Sequence, residues 1–99
     1  MLEDLTDASF RPHCGSRFHV AMGGQPDLDL ELVEVVPYAP GGTAEAKRTP
    51  FSLYFRGPAS SVLPQRIYRL QHAAMGALDL FLVPIRREGD TLVYEAVFN

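Results

Sequence analysis

The chain is short of several things, and each shortage excludes a class of protein. It has one cysteine, Cys14, so there is no intramolecular disulfide framework and no thiolate cage for a metal. It has no uncharged apolar window of roughly 18 residues, the length a membrane-spanning helix needs. Its first ten residues, MLEDLTDASF, are acidic rather than apolar and do not read as a secretory leader. Lysine is almost missing: of nine basic residues only Lys47 is not arginine. A GC-rich genome accounts for that skew, although arginine also suits planar, bidentate contacts. There is no dense basic stripe either. Residues 1–49 carry eight acids and four bases, and residues 50–99 carry four acids and five arginines. Phosphate neutralisation needs such a stripe, so nucleic acid is not expected as a partner, and neither is a membrane. With no leader and a lone thiol, the expected compartment is the cytoplasm.

What remains describes an ordinary globular chain. It has 99 residues, 46% of them apolar and 21% charged, with a formal net charge of −3. A chain of this size buries roughly two thirds of its unfolded surface, enough for one core without metal or staple. We therefore expect a single domain over residues 1–99.

Hydrophobic alternation supplies the elements. Residues 3–10 read as a short helical turn with Thr6 as N-cap and Asp7 in its first turn, ended by Pro12 and Gly15. Residues 16–21 alternate, with Phe18 and Val20 against Arg17 and His19. Residues 28–36 alternate more clearly, but the phase slips after Leu32. An extra residue near Leu32–Val33, a β-bulge, would restore it. Strands are also expected at 51–56, 78–86 and 91–98, and at 67–72, where the run is too short for period to separate strand from helix start but Ile67, Tyr68 and the flanking loops favour strand. Turns or loops fall at 23–27, 39–49, 57–66, 73–77 and 87–90. Pro84 lies inside one of these strands, and proline cannot donate to a ladder. It should sit at an edge, at a bulge, or with its nitrogen facing out. No helical run of 10–15 residues separates the strands, which argues against a βαβ sheet. The expected fold is all-β, or β-rich α+β. It is a single small barrel or sandwich of five to six mostly antiparallel strands with one short N-terminal helix.

Several segments carry a resemblance. LTDASF (5–10), GSRFHV (15–20), LDLELVEV (28–35), FSLYFRGP (51–58), LPQRIYRLQH (63–72), LDLFLVPI (78–85) and YEAVFN (94–99) resemble a bacterial family of small proteins with no assigned function. The similarity spans nearly the whole chain and is weakest at 39–49. It implies a neighbourhood beside phage tail-collar-like proteins of the microcystin-dependent type, and offers no catalytic residues to carry over. It also implies a complete protein. The chain stops at Asn99, one residue past the last apolar run, so the last strand is expected to close the fold with no tail to act as an interaction arm.

The residues that could carry chemistry are few. Cys14 would need His19 or His72 as its base, since adjacent His13 points elsewhere; a structural thiol after a helix end is the plainer reading. No pair among His13, Cys14, His19 and His72 has a recurrent zinc-ligand spacing. Asp29 and Glu31 share one strand face, as the solvent side of a half-buried strand would. The glycine pairs at 23–24 and 41–42 are turn residues, not a phosphate cradle. One feature stands out: Tyr54, Tyr68 and Tyr94 fall among Arg56, Arg69 and Arg86 in the strand-rich half. Tyrosine and arginine are enriched in interface hot spots. The sequence thus leads to a non-enzymatic domain without cofactor that works by protein–protein contact. It would be an accessory of a phage-tail-like or surface-appendage system, with a tail-collar-like protein or a second copy as partner. The alternative is a small-ligand-binding β-barrel with its mouth between loops 39–49 and 57–66.

Overall fold

Alternation becomes strand at each place where it was read. The computed structural model describes residues 4–21, 27–38 and 50–99. The elements in chain order are α1 (Asp7–Phe10), a 3-10 turn (Arg11–His13), β1 (Arg17–Val20), β2 (Leu28–Pro37), β3 (Phe51–Pro58), β4 (Arg66–His72), β5 (Gly76–Glu88) and β6 (Thr91–Phe98). Every neighbouring pair is antiparallel, and the sheet closes on itself in the order β1-β2-β3-β6-β5-β4. Of the two forms the sequence left open, the fold is thus the barrel, with six strands and one short helix. Most of the turn expected at 23–27, and all of the loop at 39–49, lie outside the described residues.

Both expected irregularities are present, and each has a cause. Leu32 pairs with Phe55 and Glu34 with Tyr54, so Val33 is the extra residue of a bulge. The slip lets Leu30 and Leu32 face inward before it and Val35 pack on the core after it. In β5, Pro84 pairs with Tyr94 and Arg86 with Val93, which leaves Ile85 as the extra residue. A proline is tolerated there because the ladder is already interrupted. The β5–β6 hairpin turns on Gly89–Asp90, between the paired Glu88 and Thr91. Gly89 has φ +62°, and a glycine at the first central position is what a type II′ turn requires.

The lumen is filled by side chains. Phe18, Leu30, Leu32, Leu53, Phe55, Leu70, Leu82 and Tyr94 are all fully buried. One end is plugged by three phenylalanines. The Phe10 ring lies 5.9 Å from Phe51 and 5.5 Å from Phe98, and those two stack at 4.6 Å. A single helical turn has little stability of its own. Burial of Phe10 anchors α1, helped by the Thr6 N–H donating to Ser9 Oγ at 3.0 Å. The opposite end is closed by the 59–65 loop, whose Leu63 is buried. Its N–H donates to the Tyr94 hydroxyl at 2.9 Å, and the Tyr68 hydroxyl donates to the Pro64 carbonyl at 2.6 Å.

Candidate functional site

The six tyrosines and arginines singled out by sequence do not share a surface. Tyr68 and Tyr94 point into the barrel and hold the end loop; Tyr94 is 0% exposed. Tyr54, Arg56, Arg69 and Arg86 point outward. Parity explains the split: Tyr68 and Leu70 alternate with Arg69, and Tyr94 and Ala96 alternate with Glu95. Arg56 and Arg86 flank Val93 in register across β3, β6 and β5. Val93 faces out yet is buried, as a short apolar residue between two long arginine stems would be. Arg69 makes a bidentate pair with its cross-strand neighbour Asp79, Nε to Oδ1 at 2.9 Å and Nη2 to Oδ2 at 3.1 Å. That pair satisfies both charges at the surface.

A different surface comes from the length of β5. Its first part, Gly76–Leu82, pairs with β4, and its second part, Val83–Glu88, pairs with β6. Among the described residues the β5–β6 register ends at Val83–Glu95, although β6 continues to Phe98. Where the two strands part lies a groove of about 260 Å³, lined by Ile67, Asp79, Leu80, Phe81, Ala96, Val97 and the last two residues. Three large apolar side chains stand outward beside it: Ile67 is 65% exposed, Val97 50% and Phe81 49%. Ile67 and Phe81 are cross-strand partners. The sequence reading passed over these residues. The signal was available in FLVPI (81–85), where apolar residues occupy both parities although alternation should leave one face polar.

The residues with nucleophile or base chemistry gather at the phenylalanine end. His72 Nδ1 accepts from the Ala74 N–H at 3.0 Å and the Met75 N–H at 3.2 Å. These two donors assign the ring proton to Nε2, which donates to Ser16 Oγ at 2.8 Å; Ser16 in turn donates to the His13 carbonyl at 2.5 Å. A general base must accept the nucleophile's proton, and here the proton runs the other way. The Ser16–His72 pair therefore ties the β4–β5 turn to the segment before β1 and does not activate Ser16. Rings of Phe18 and His13 lie 4.4 and 4.6 Å from His72. Burial, and then the neighbouring His13, hold its pKa below the ordinary histidine value. Cys14 is exposed. His19 lies on β1 and faces solvent, where Nδ1 contacts Asp29 at 2.9 Å and Nε2 contacts Asp27 at 3.1 Å. Hydrogen bonds to Asp29 and then Asp27 raise its pKa. Among the described residues no group of three or more histidine, cysteine and acidic side chains is placed to hold a metal ion.

Asp29 and Glu31 share the outer face of β2, as expected, but they have different neighbours: Asp29 meets His19, while Glu31 pairs in register with Arg17 and Arg56. A polar cluster that the sequence did not reveal lies on the outside of β3 and β6. Ser52 and Tyr54 both donate to Glu95 Oε2, at 3.0 and 2.9 Å, and the Tyr38 hydroxyl contacts that of Ser52. Burial and the Glu95 carboxylate push the Tyr54 pKa up. These bonds seal the β3–β6 wall on its outer side.

The fold and its surfaces define a class: a small closed antiparallel β-barrel with a packed lumen and, between β5 and β6, a groove in its wall. A family described as a domain of unknown function (DUF6916) matches residues 5–98, and the chain belongs to that family. No curated protein and no solved structure matches the chain. No helix among the described residues is long and apolar enough to cross a membrane.

Proposed function

We propose that this barrel is a non-enzymatic protein-interaction module and that its contact surface is the groove between β5 and β6. The observation that carries the reading is the line of Ile67, Phe81 and Val97, which stand exposed on three successive strands at that groove. Apolar side chains grouped at a groove mark an interaction site more often than scattered ones do. Arg69 borders the patch, already neutralised by Asp79, so the surface offers oil rather than charge. Tyr54, Arg56 and Arg86 lie on the adjoining wall and form the outer part of the contact. The inverted Ser16–His72 bond supports a role without catalysis. Side chains fill the lumen, which favours surface contact over the small-ligand alternative; one side of that expected mouth, 39–49, lies outside the described residues. The setting we propose is cytoplasmic, and a tail-collar-like protein of a phage-tail-like or surface-appendage system is the first partner to try.

A photocrosslinking amino acid at position 67, compared with one at position 17 on β1, tests the reading in the native cell. The expected result is a discrete adduct from position 67 and none from position 17. Absence of any adduct, together with a protein that stays monomeric at all concentrations in light scattering, overturns it.

A further inference from the structure

The groove is more than an oily patch, because it lies along a length of strand that, among the described residues, is paired in register on one side only. From Gly76 to Leu82 β5 has β4 as its neighbour, and the β6 register has already ended at Val83–Glu95. An unpaired strand side presents backbone N–H and C=O groups that seek a partner. We infer that this stretch of β5 receives an extended, apolar segment of a partner protein, which adds one strand against Asp79–Phe81. This rests on the protein-contact reading above and names the chemistry of the occupant.

Size selects this occupant over the others. A standard interface between folded proteins needs about 800 Å² from each partner and roughly 20–30 residues a side. The exposed apolar patch here consists of Ile67, Phe81 and Val97, too few for a stable dimer of folded barrels by themselves. A groove of about 260 Å³ also falls below the roughly 300–1,000 Å³ of sites for drug-sized ligands. It suits one or two side chains. Strand addition resolves the mismatch, since main-chain hydrogen bonds supply affinity and small pockets for alternate side chains supply selectivity. The side chains above β5 set the preference. Phe81 and Ile67 are apolar, and Asp79 is held by Arg69, so the segment should alternate apolar residues and needs no matching charge.

The test uses the intact chain and a library of displayed random peptides about ten residues long. Enriched sequences should alternate Val, Ile, Leu or Phe with other residues. A synthetic enriched peptide should bind about tenfold more weakly to Phe81→Asp than to the unaltered chain, and equally well to Arg17→Ala on β1, away from the groove. N-methylation at alternate peptide amides should abolish binding, and amide exchange should slow at Asp79–Leu82. Phe81 is half exposed, so the variant should keep its fold; an unchanged circular dichroism spectrum checks this. No enrichment overturns strand addition, as does indifference to N-methylation. Dimerisation that Phe81→Asp removes would make the occupant a second copy. That outcome, or an adduct at position 67 without peptide binding, defeats the strand proposal while the contact reading stands. Failure of both experiments removes both.

Discussion

β6 has two neighbours and treats them differently. Along β3 it is paired from Phe51–Phe98 to Pro58–Thr91 without a break. Along β5 the pairing has a bulge at Ile85 and ends at Val83–Glu95. The outer side of the first junction carries Ser52 and Tyr54 hydrogen-bonded to Glu95, and the outer side of the second carries Phe81 and Val97. One junction spends its polar groups on closure and the other leaves its apolar groups in water. A closed barrel has no free edge, but its weakest seam is where an edge can be recovered. A module built for contact needs such a place, together with a rigid wall that holds it.

The wall should break first. A Cβ at Gly57 on β3 would lie 2.5 Å from Leu30 Cδ2 and 3.6 Å from the Tyr94 ring. Gly57→Ala should therefore overpack the lumen by about 1–3 kcal/mol. Stiffening of the unfolded chain returns about 0.4–1 kcal/mol of this. Urea unfolding should show a lowered midpoint, and Leu30→Val in the same chain should recover part of the loss. Additivity of the two changes would mean that the clash is not what costs stability. Tyr94→Phe is next. It removes the acceptor of the Leu63 N–H, a buried bond, and should cost about 1–3 kcal/mol, with faster amide exchange at Leu63. Neither substitution should alter peptide binding at the seam.

The two histidines with shifted pKa values, His19 and His72, lie away from both junctions of β6, on and beside the β1–β4 closure, so pH can separate stability from binding. His19 has a raised pKa, so its contribution is present below the ordinary histidine value near 6.5 and is lost as pH rises through the raised value. His72 has a lowered pKa, so its contribution is present above 6.5 and is lost as pH falls toward the lowered value. Between pH 8 and 5 the two oppose each other and the net change should be small. His19→Asn should leave a chain that loses stability on acidification. His72→Asn, whose side-chain oxygen can still cap the 73–75 turn, should leave one that gains it. Thermal melts across that range measure both, and identical profiles for the two variants would contradict the assignment. Peptide affinity at the groove should stay flat over the same range.

Much of the barrel was legible because period-two patterning reports burial directly. Leu28–Leu32 and Leu78–Leu82 declare an inside face, and the phase slip at Val33 declared the β2 bulge, while the proline at 84 left a bulge as one of three settings, the others being an edge or an outward nitrogen. Closure was not legible. The β1–β4 pairing of His19 with Gln71 and Val20 with Leu70 joins residues far apart in the chain, and nothing local encodes it. The tyrosines failed as surface markers for a related reason. Tyr68 and Tyr94 occur on the same parity as leucine and alanine neighbours that face inward, and that parity outweighs the residue type. The exposed apolar side chains left a trace in FLVPI (81–85), but the groove beside them left none, because it arises from where β5 leaves β4 and joins β6, a property of two registers rather than of any segment.

The smallest effect on stability should come from the seam itself. Phe81→Ser removes an exposed ring from the outer face and should change unfolding free energy by no more than about 0.5 kcal/mol, the range of ordinary surface substitutions. It should nevertheless weaken peptide binding. The pairing of a near-zero stability change with a binding loss is what distinguishes an exposed contact side chain from a structural one. If the urea midpoint instead falls as far as it does for Gly57→Ala, Phe81 is buried in solution, β5 and β6 close over it, and the contrast between the two junctions disappears. A change in m-value with the midpoint would say the same more directly, because m follows the surface exposed on unfolding. Unchanged m and midpoint with lost binding leave only one reading: the ring at position 81 belongs to the partner's surface and not to the core.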